Sequence, residues 1–381
     1  MSGACDACLR RGYLIGLLAG RIAGLVGRPG GPPSELLALD DSSLAMAVGG
    51  KGKDEALAFL AYFEPRRARA DLRHAGVTAV CKHHESYPTA LEDLNDQPAV
   101  LFCHGQVELL TKLDDEPAAT VVGTRDATPY AIDVAYDVGR GLGVAGITTI
   151  SGMALGIDGA AHRGALGVRG PTIAVLAGGP DVVYPRSHRD LHRQIAESGL
   201  VVAELPPGQR PYRWSFPARN RLMAALGRMT VVVEAGESSG TLITADFAQD
   251  LGRTLGAVPG RVSTHAAAGS NRLLREGAAV VRDASDVLDE LFGIGGDGTV
   301  VGVGDVGSAR LGCATSPREL ALDPVDRRLL DAVESNLDVD AISTFAGLPI
   351  NEARAALARL ELRGLVRRDG LFGWERVRPP R

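Results

Sequence analysis

The sequence predicts an α/β protein: a Rossmann-like, doubly wound parallel sheet core, with a helical N-terminal region before it and a C-terminal winged-helix domain after it. Three observations carry this. From about residue 113 to 292, short apolar runs alternate with amphipathic stretches at the spacing of strand–helix units. Glycine-rich turns leave four of those runs. After a further glycine-rich stretch come helical patterns and two short strands, the order of a winged helix-turn-helix.

In chain order, residues 1–84 are Ala/Leu-rich and read as a helical region, interrupted by the Gly/Pro cluster Gly27–Pro33. Residues 85–292 hold the Rossmann-like domain. Its expected strands are Ala119–Val122, Ile147–Ser151, Thr172–Leu176, Leu200–Glu204, Thr230–Glu234, Leu255–Val258 and Ala279–Val281. The helical patterns between them are Tyr130–Gly143, Ile157–Leu166, His188–Ser198, Ala218–Leu226, Leu242–Leu251 and Ser270–Glu276. Residues 293–317 are glycine-rich and read as a linker. In residues 318–378, helices are expected over Asp326–Val333, Ser343–Leu348 and Asn351–Arg363, then two strands around Asp369-Gly370.

Composition restricts the function. A hydrophobic content of 45% over 381 residues is that of an ordinary globular chain of two or three domains. No run approaches the ~18 apolar residues of a membrane span. The apolar start after Arg10-Arg11 follows two cysteines and an aspartate and lacks a cleavage site, so it reads as the first helix of a cytoplasmic protein. The five cysteines are scattered and odd in number, against a disulfide framework. Cys5 and Cys8 form a lone CxxC. A zinc site with the distant His83 and His84 is conceivable, but nothing in the spacing specifies one, and neither metal nor cofactor is expected. The net charge of −5 conceals segregation: Leu205–Met229 holds five arginines and no acid.

In a doubly wound fold, ligands bind where strands end and helices begin. There lie Val121-Val-Gly-Thr-Arg125, Ser151-Gly-Met-Ala-Leu-Gly-Ile-Asp158, Ala177-Gly-Gly-Pro180 and Glu234-Ala-Gly-Glu-Ser-Ser-Gly-Thr241. Glycines let backbone approach an anion, and helix N-terminal amides donate to it. Arg125 adds a guanidinium suited to phosphate. Arg219-Asn220-Arg221 places two cations at an expected helix start, against the macrodipole, which an anion would offset. No dinucleotide fingerprint and no NTPase phosphate loop appears. Asp158 and His162, one helical turn apart, resemble an acid/base pair. The simpler expectation is that Asp158 orders the helix start and His162 hydrogen-bonds to it.

Together these motifs resemble the DNA-processing protein A family of bacterial recombination mediators, also called Smf. The resemblance runs through Gly123-Thr-Arg125, the segments at 151–158, 176–185, 216–221 and 238–245, and Gly269-Ser-Asn271, with a lead-in from Glu85 to Gly105. It implies a non-enzymatic binder of single-stranded DNA that protects incoming DNA and loads the RecA recombinase in transformation and repair. It further implies a homodimer with the single-stranded-DNA-binding protein as a further partner, and no membrane association. By the same resemblance, Arg125 is the central phosphate ligand. Gly123, Thr124, Ser151, Gly152, Arg219, Asn220 and Arg221 line its pocket, with Ser239, Gly240 and Thr241 near it. Thr124 stands where serine is common, which preserves a hydroxyl. The resemblance also implies a SAM or helix-hairpin-helix-like region over residues 1–84, but the helix-hairpin-helix Gly-x-Gly pattern is missing, so residues 1–80 are not expected to bind DNA alone.

The sequence leaves two other functions open. A nucleoside-phosphate hydrolase of related Rossmann type carries PGGxGTxxE, whereas here Thr244 replaces the glutamate after Gly240-Thr241. A duplex-binding regulator would read DNA with Asn351–Arg363, which carries Arg354, Arg359 and Arg363.

Overall fold

The computed structural model describes residues 3–25, 34–293, 366–369 and 373–376. Residues 1–298 form one compact unit and 299–381 a second. The chain begins with helices α1 (Asp6–Leu25), α2 (Ser34–Leu37), α3 (Asp41–Gly49), α4 (Lys53–Tyr62) and α5 (Pro65–His74). Strands β1 (Thr78–Cys81) and β2 (Val100–Gly105) and helix α6 (Glu108–Asp115) follow. Then β3 (Ala118–Val122), α7 (Pro129–Val144), β4 (Thr148–Ser151), α8 (Ile157–Gly167), β5 (Thr172–Leu176), α9 (Arg189–Ser198) and β6 (Leu200–Ala203) alternate. The alternation continues with α10 (Ser215–Leu226), β7 (Met229–Val232), α11 (Leu242–Asp250), β8 (Thr254–Ala257), α12 (Ala268–Arg275), β9 (Ala279–Val280) and α13 (Ala284–Phe292). Every strand and helix expected between 113 and 292 is present, with ends moved by no more than a few residues.

The sheet has nine strands in the order β1-β2-β6-β5-β4-β3-β7-β8-β9. From β6 to β9 every neighbouring pair is parallel. Only β2 is reversed, pairing antiparallel with β1 and β6, so the sheet is mixed rather than purely parallel. It also begins at Thr78, inside the segment expected to be helical. Strand β1 is four residues long and its four residues are apolar or small, a run that periodicity alone cannot assign.

Alternation along β3 shows how the layers form. Ala118 and Val122 join the core beneath α10 and α11, while Ala119 and Val121 join the core beneath α7 and α8. Thr120 is also buried, and its hydroxyl donates to the Met223 carbonyl at 2.7 Å, satisfying a polar group between strand and helix. The N-terminal helices are fastened to the same sheet. Residues of α1 and α5 pack on β1 and β2, and Trp214 donates its indole N–H to the Ala19 carbonyl at 2.9 Å. Among the described residues no helix is long and apolar enough to cross a membrane.

In the second unit, β10 (Val366–Asp369) pairs antiparallel with β11 (Gly373–Arg376), the hairpin expected around Asp369-Gly370. The expected linker and the three expected helices of residues 318–378 lie outside the described residues.

Helices α7 and α8 approach until their backbones nearly touch. A Cβ on Gly139 would stand 2.2 Å from the Ala161 carbonyl oxygen, and one on Gly164 would stand 2.0 Å from that of Tyr136. Gly139→Ala therefore forces the helices apart and is expected to cost about 1–3 kcal/mol, the range for overpacking. Urea unfolding checks this, and an unchanged midpoint would mean that the helices separate freely.

Candidate anion-binding cleft

The chain leaves β3 into α7 on one face of the sheet and β7 into α11 on the other. Between two adjacent strands whose connections diverge, a crevice opens at their carboxyl ends. Here it is a cleft of about 480 Å³, lined by Gly123, Thr124 and Arg125 after β3, and by Ser239, Gly240 and Thr241 before α11. Asp158 from α8 and Arg219 and Asn220 from α10 complete it, with Asp126 at its edge. A smaller recess of about 60 Å³ adjoins it, sharing Arg125, Phe216 and Arg219 and adding Gly152, Gly178 and Tyr184.

Arg125 is exposed, and its guanidinium lies over the Phe216 ring at 5.2 Å from the centroid. Tyr184, 48% exposed, packs against the same ring at 5.6 Å between centroids. Neither aromatic is among the expected site residues, although Phe216 opens the Phe-Pro-Ala-Arg-Asn-Arg motif. A cation stacked on an aromatic face beside an open cleft is an arrangement that receives both a phosphate and a base.

Arg219 forms the floor. It is buried, and its Nη1 donates to the Gly152 carbonyl at 2.7 Å and to the Val175 carbonyl at 2.6 Å. Gly152 leaves it room: a Cβ on residue 152 would stand 1.8 Å from that nitrogen and would displace the guanidinium. Burial lowers the Arg219 pKa to about 10, against the pull of Asp158, so the guanidinium stays charged at neutral pH. Asp158 is also buried, and its carboxylate accepts from the backbone N–H groups of Gly152 and Ala154, both at 3.2 Å. Burial raises its pKa, against Arg219, those two amides and Arg125. Between those amides Met153 is held at φ 55°, a strained conformation for a residue with a side chain, and His188 donates to its carbonyl.

The structure thus brings together Gly123, Thr124, Arg125, Gly152, Arg219, Asn220, Ser239, Gly240, Thr241 and Asp158, and separates four expectations from them. Ser151 is buried, its hydroxyl donating to the Val121 carbonyl at 2.6 Å, and it does not line the cleft. Arg221 is 1% exposed and points away: its Nε lies 2.8 Å from Asp96, and its Nη2 donates to both Glu204 oxygens at 3.0 Å. It is a structural ion triad, not a pocket cation. His162 is buried and does not bond to Asp158. Its Nδ1 lies 2.7 Å from the Thr172 hydroxyl, which itself donates to the Thr149 carbonyl, so His162 is the donor. Finally, α10 begins at Ser215, so Arg219 and Arg221 sit beyond its first turn, where the helix dipole no longer opposes them. The five arginines of 205–229 do not act as one patch either, since Arg228 precedes β7 at the opposite edge of the sheet.

The chain resembles known proteins over most of its length. Residues 78–292 match the family described as DNA recombination-mediator protein A, and residues 314–370 match the DprA winged-helix domain. A putative DNA processing protein DprA of Mycobacterium tuberculosis is 42% identical over 282 residues, covering 72% of this chain and 68% of the relative. The X-ray structure of DNA processing protein A from Streptococcus pneumoniae superposes with a TM-score of 0.59 at 30% identity, covering 74% of this chain and 96% of the other. DNA processing protein A from Helicobacter pylori, described for its single-stranded DNA binding mode, gives 0.50 at 31% identity over 56% of this chain and 95% of its own.

Two outcomes separate structural from ligand-binding groups. Arg221→Ala strands the buried Asp96 beside Glu204, so unfolding should show a loss of about 3–5 kcal/mol. The folded fraction should bind anions as wild type does, and weakened binding at full stability would return Arg221 to the cleft. For His162, burial lowers the pKa from 6.5 to about 3. The unfolded chain takes up the proton first, so stability is complete above pH 6.5 and falls toward pH 3, by at most about 1.4 kcal/mol per pH unit. Burial depresses His188 and His192 in the same direction. His162→Gln should flatten the stability profile between those limits, measured by urea titration at successive pH values.

Proposed function

The chain belongs to the DNA recombination-mediator protein A family, and from that premise we propose that it binds single-stranded DNA in the cleft between β3 and β7, without catalysing a reaction. The observation that carries the reading is the exposed Arg125 guanidinium stacked on Phe216 at the mouth of that cleft. Single-stranded nucleic acid asks for a cation for each phosphate and an aromatic face for each base, with little sequence readout. Glycine turns on both sides of the cleft offer backbone at close range. The single-stranded DNA binding mode for which the Helicobacter pylori relative is described supports the same ligand.

A hydrolytic role finds no support in the side chains. Asp158 spends its carboxylate on backbone amides, and His162 is buried away from the cleft. In the full reading, the protein shields incoming single strands and hands them to the RecA recombinase, in company with the single-stranded-DNA-binding protein, as a cytoplasmic homodimer in transformation and repair. The winged-helix domain would contribute a second contact, with DNA or protein.

Binding of an oligonucleotide single strand across a salt series tests this. Each neutralised phosphate of a single strand adds roughly −0.7 to the slope of log affinity against log salt. Arg125→Ala should weaken binding for every sequence and make the slope shallower. Phe216→Ala should weaken binding by about 1–3 kcal/mol per stacked base at an unchanged slope. If Arg125→Ala leaves affinity and slope as they are, the cleft is not the phosphate site.

A further inference from the structure

Three of the five cysteines, scattered in the sequence, converge far from the cleft. Cys5 stands just ahead of α1 and Cys8 lies in its first turn, while Cys81 ends β1 and His83 follows in the next turn. The three sulfurs and a histidine ring nitrogen all lie within 4.8 Å of one another. His83 Nδ1 is 3.6 Å from Cys5 Sγ and 3.4 Å from Cys8 Sγ. The Cys5 backbone N–H points at Cys81 Sγ at 3.4 Å.

We infer that Cys5, Cys8, Cys81 and His83 bind one structural Zn²⁺, clamping the N-terminal helical region onto the edge of the sheet. Tetrahedral zinc with Zn–S near 2.3 Å and Zn–N near 2.0 Å sets ligand atoms about 3.5 Å apart for S···N and about 3.8 Å for S···S. The two S···N distances already match. The cluster is too compact for an iron–sulfur cluster, whose inorganic core holds its cysteines much farther apart. Three soft thiolates and one imidazole are a zinc set, and four protein ligands leave no position for water or substrate, which makes the site structural.

The surroundings suit the metal. Three thiolates on Zn²⁺ leave one negative charge, placed at the amino end of the 20-residue α1, where the helix dipole is positive. An N–H···S bond from Cys5 to Cys81 is the kind of outer contact that orients a thiolate ligand. The bridge of Gly3 to Val80 already lays the chain start along β1. Zinc would cross-link residues 5 and 8 to residues 81 and 83, closing a loop that contains α1 to α5. In a reducing compartment it does what a disulfide does in an oxidising one.

The test is metal analysis by mass spectrometry of the full chain, purified without a histidine tag from zinc-supplemented cells. One zinc per chain is expected in wild type and in the control Cys103→Ala, whose thiol lies elsewhere in the core. Cys5→Ser and His83→Gln, both at exposed ligands, should lose it. They should also free the N-terminal segment to limited proteolysis and lower the melting temperature, with single-strand affinity kept. Replacement by Co²⁺ should give the thiolate charge-transfer and tetrahedral d–d absorption of a sulfur-rich site. Wild type with only trace zinc, iron in its place, or Cys5–Cys8 recovered as a disulfide would each overturn the assignment. Retention of zinc by both variants would overturn it as well.

Discussion

One buried cation organises the cleft. The Arg219 guanidinium holds the carbonyls after β4 and within β5 from a helix on the opposite side of the crevice, through the space left by the absent side chain of Gly152. Taking a guanidinium out of water is costly, and it persists only where carbonyls and a counter-charge replace the water. Asp158 supplies the charge, and the two amides on its carboxylate fix the loop that starts α8. The loop after β3 is set against that one, since the Ile157 N–H donates to the Thr124 carbonyl. The loop that carries Arg125 is thereby tied, through the start of α8, to the carboxylate and amides beside Arg219.

This division of labour explains how a chain of net charge −5 offers a cationic site. Of the three arginines expected there, one is exposed, one builds the floor and one ties Asp96 to Glu204 outside the cleft. Local potential, not the sum, decides what approaches.

The strand–helix alternation and the glycine turns were legible because each strand is a short buried run ending in punctuation that only a turn requires. What stayed hidden has physical causes. β1 and β2 lie where neither period nor length distinguishes strand from helix. Arg219 and Arg221 are two residues apart on a helix, so their side chains diverge by roughly 200° and cannot share a pocket easily; the motif suggested a pair. His162 sits at the right spacing from Asp158, yet Thr172 competes for it from another strand, a contact no local pattern announces. Cys81-Lys-His83 is the missing half of the CxxC, separated from it by five helices, and a paired Cys-x-His was the available signal.

The near-contact of α7 and α8 has a consequence for recognition. Two helices whose backbones touch cannot slide or splay by small steps, so the loops that begin them move as one plate or not at all. A ligand meeting such a wall finds it preorganised, and the protein gives up little conformational entropy on binding. The ordering then falls on whatever ligand the cleft receives.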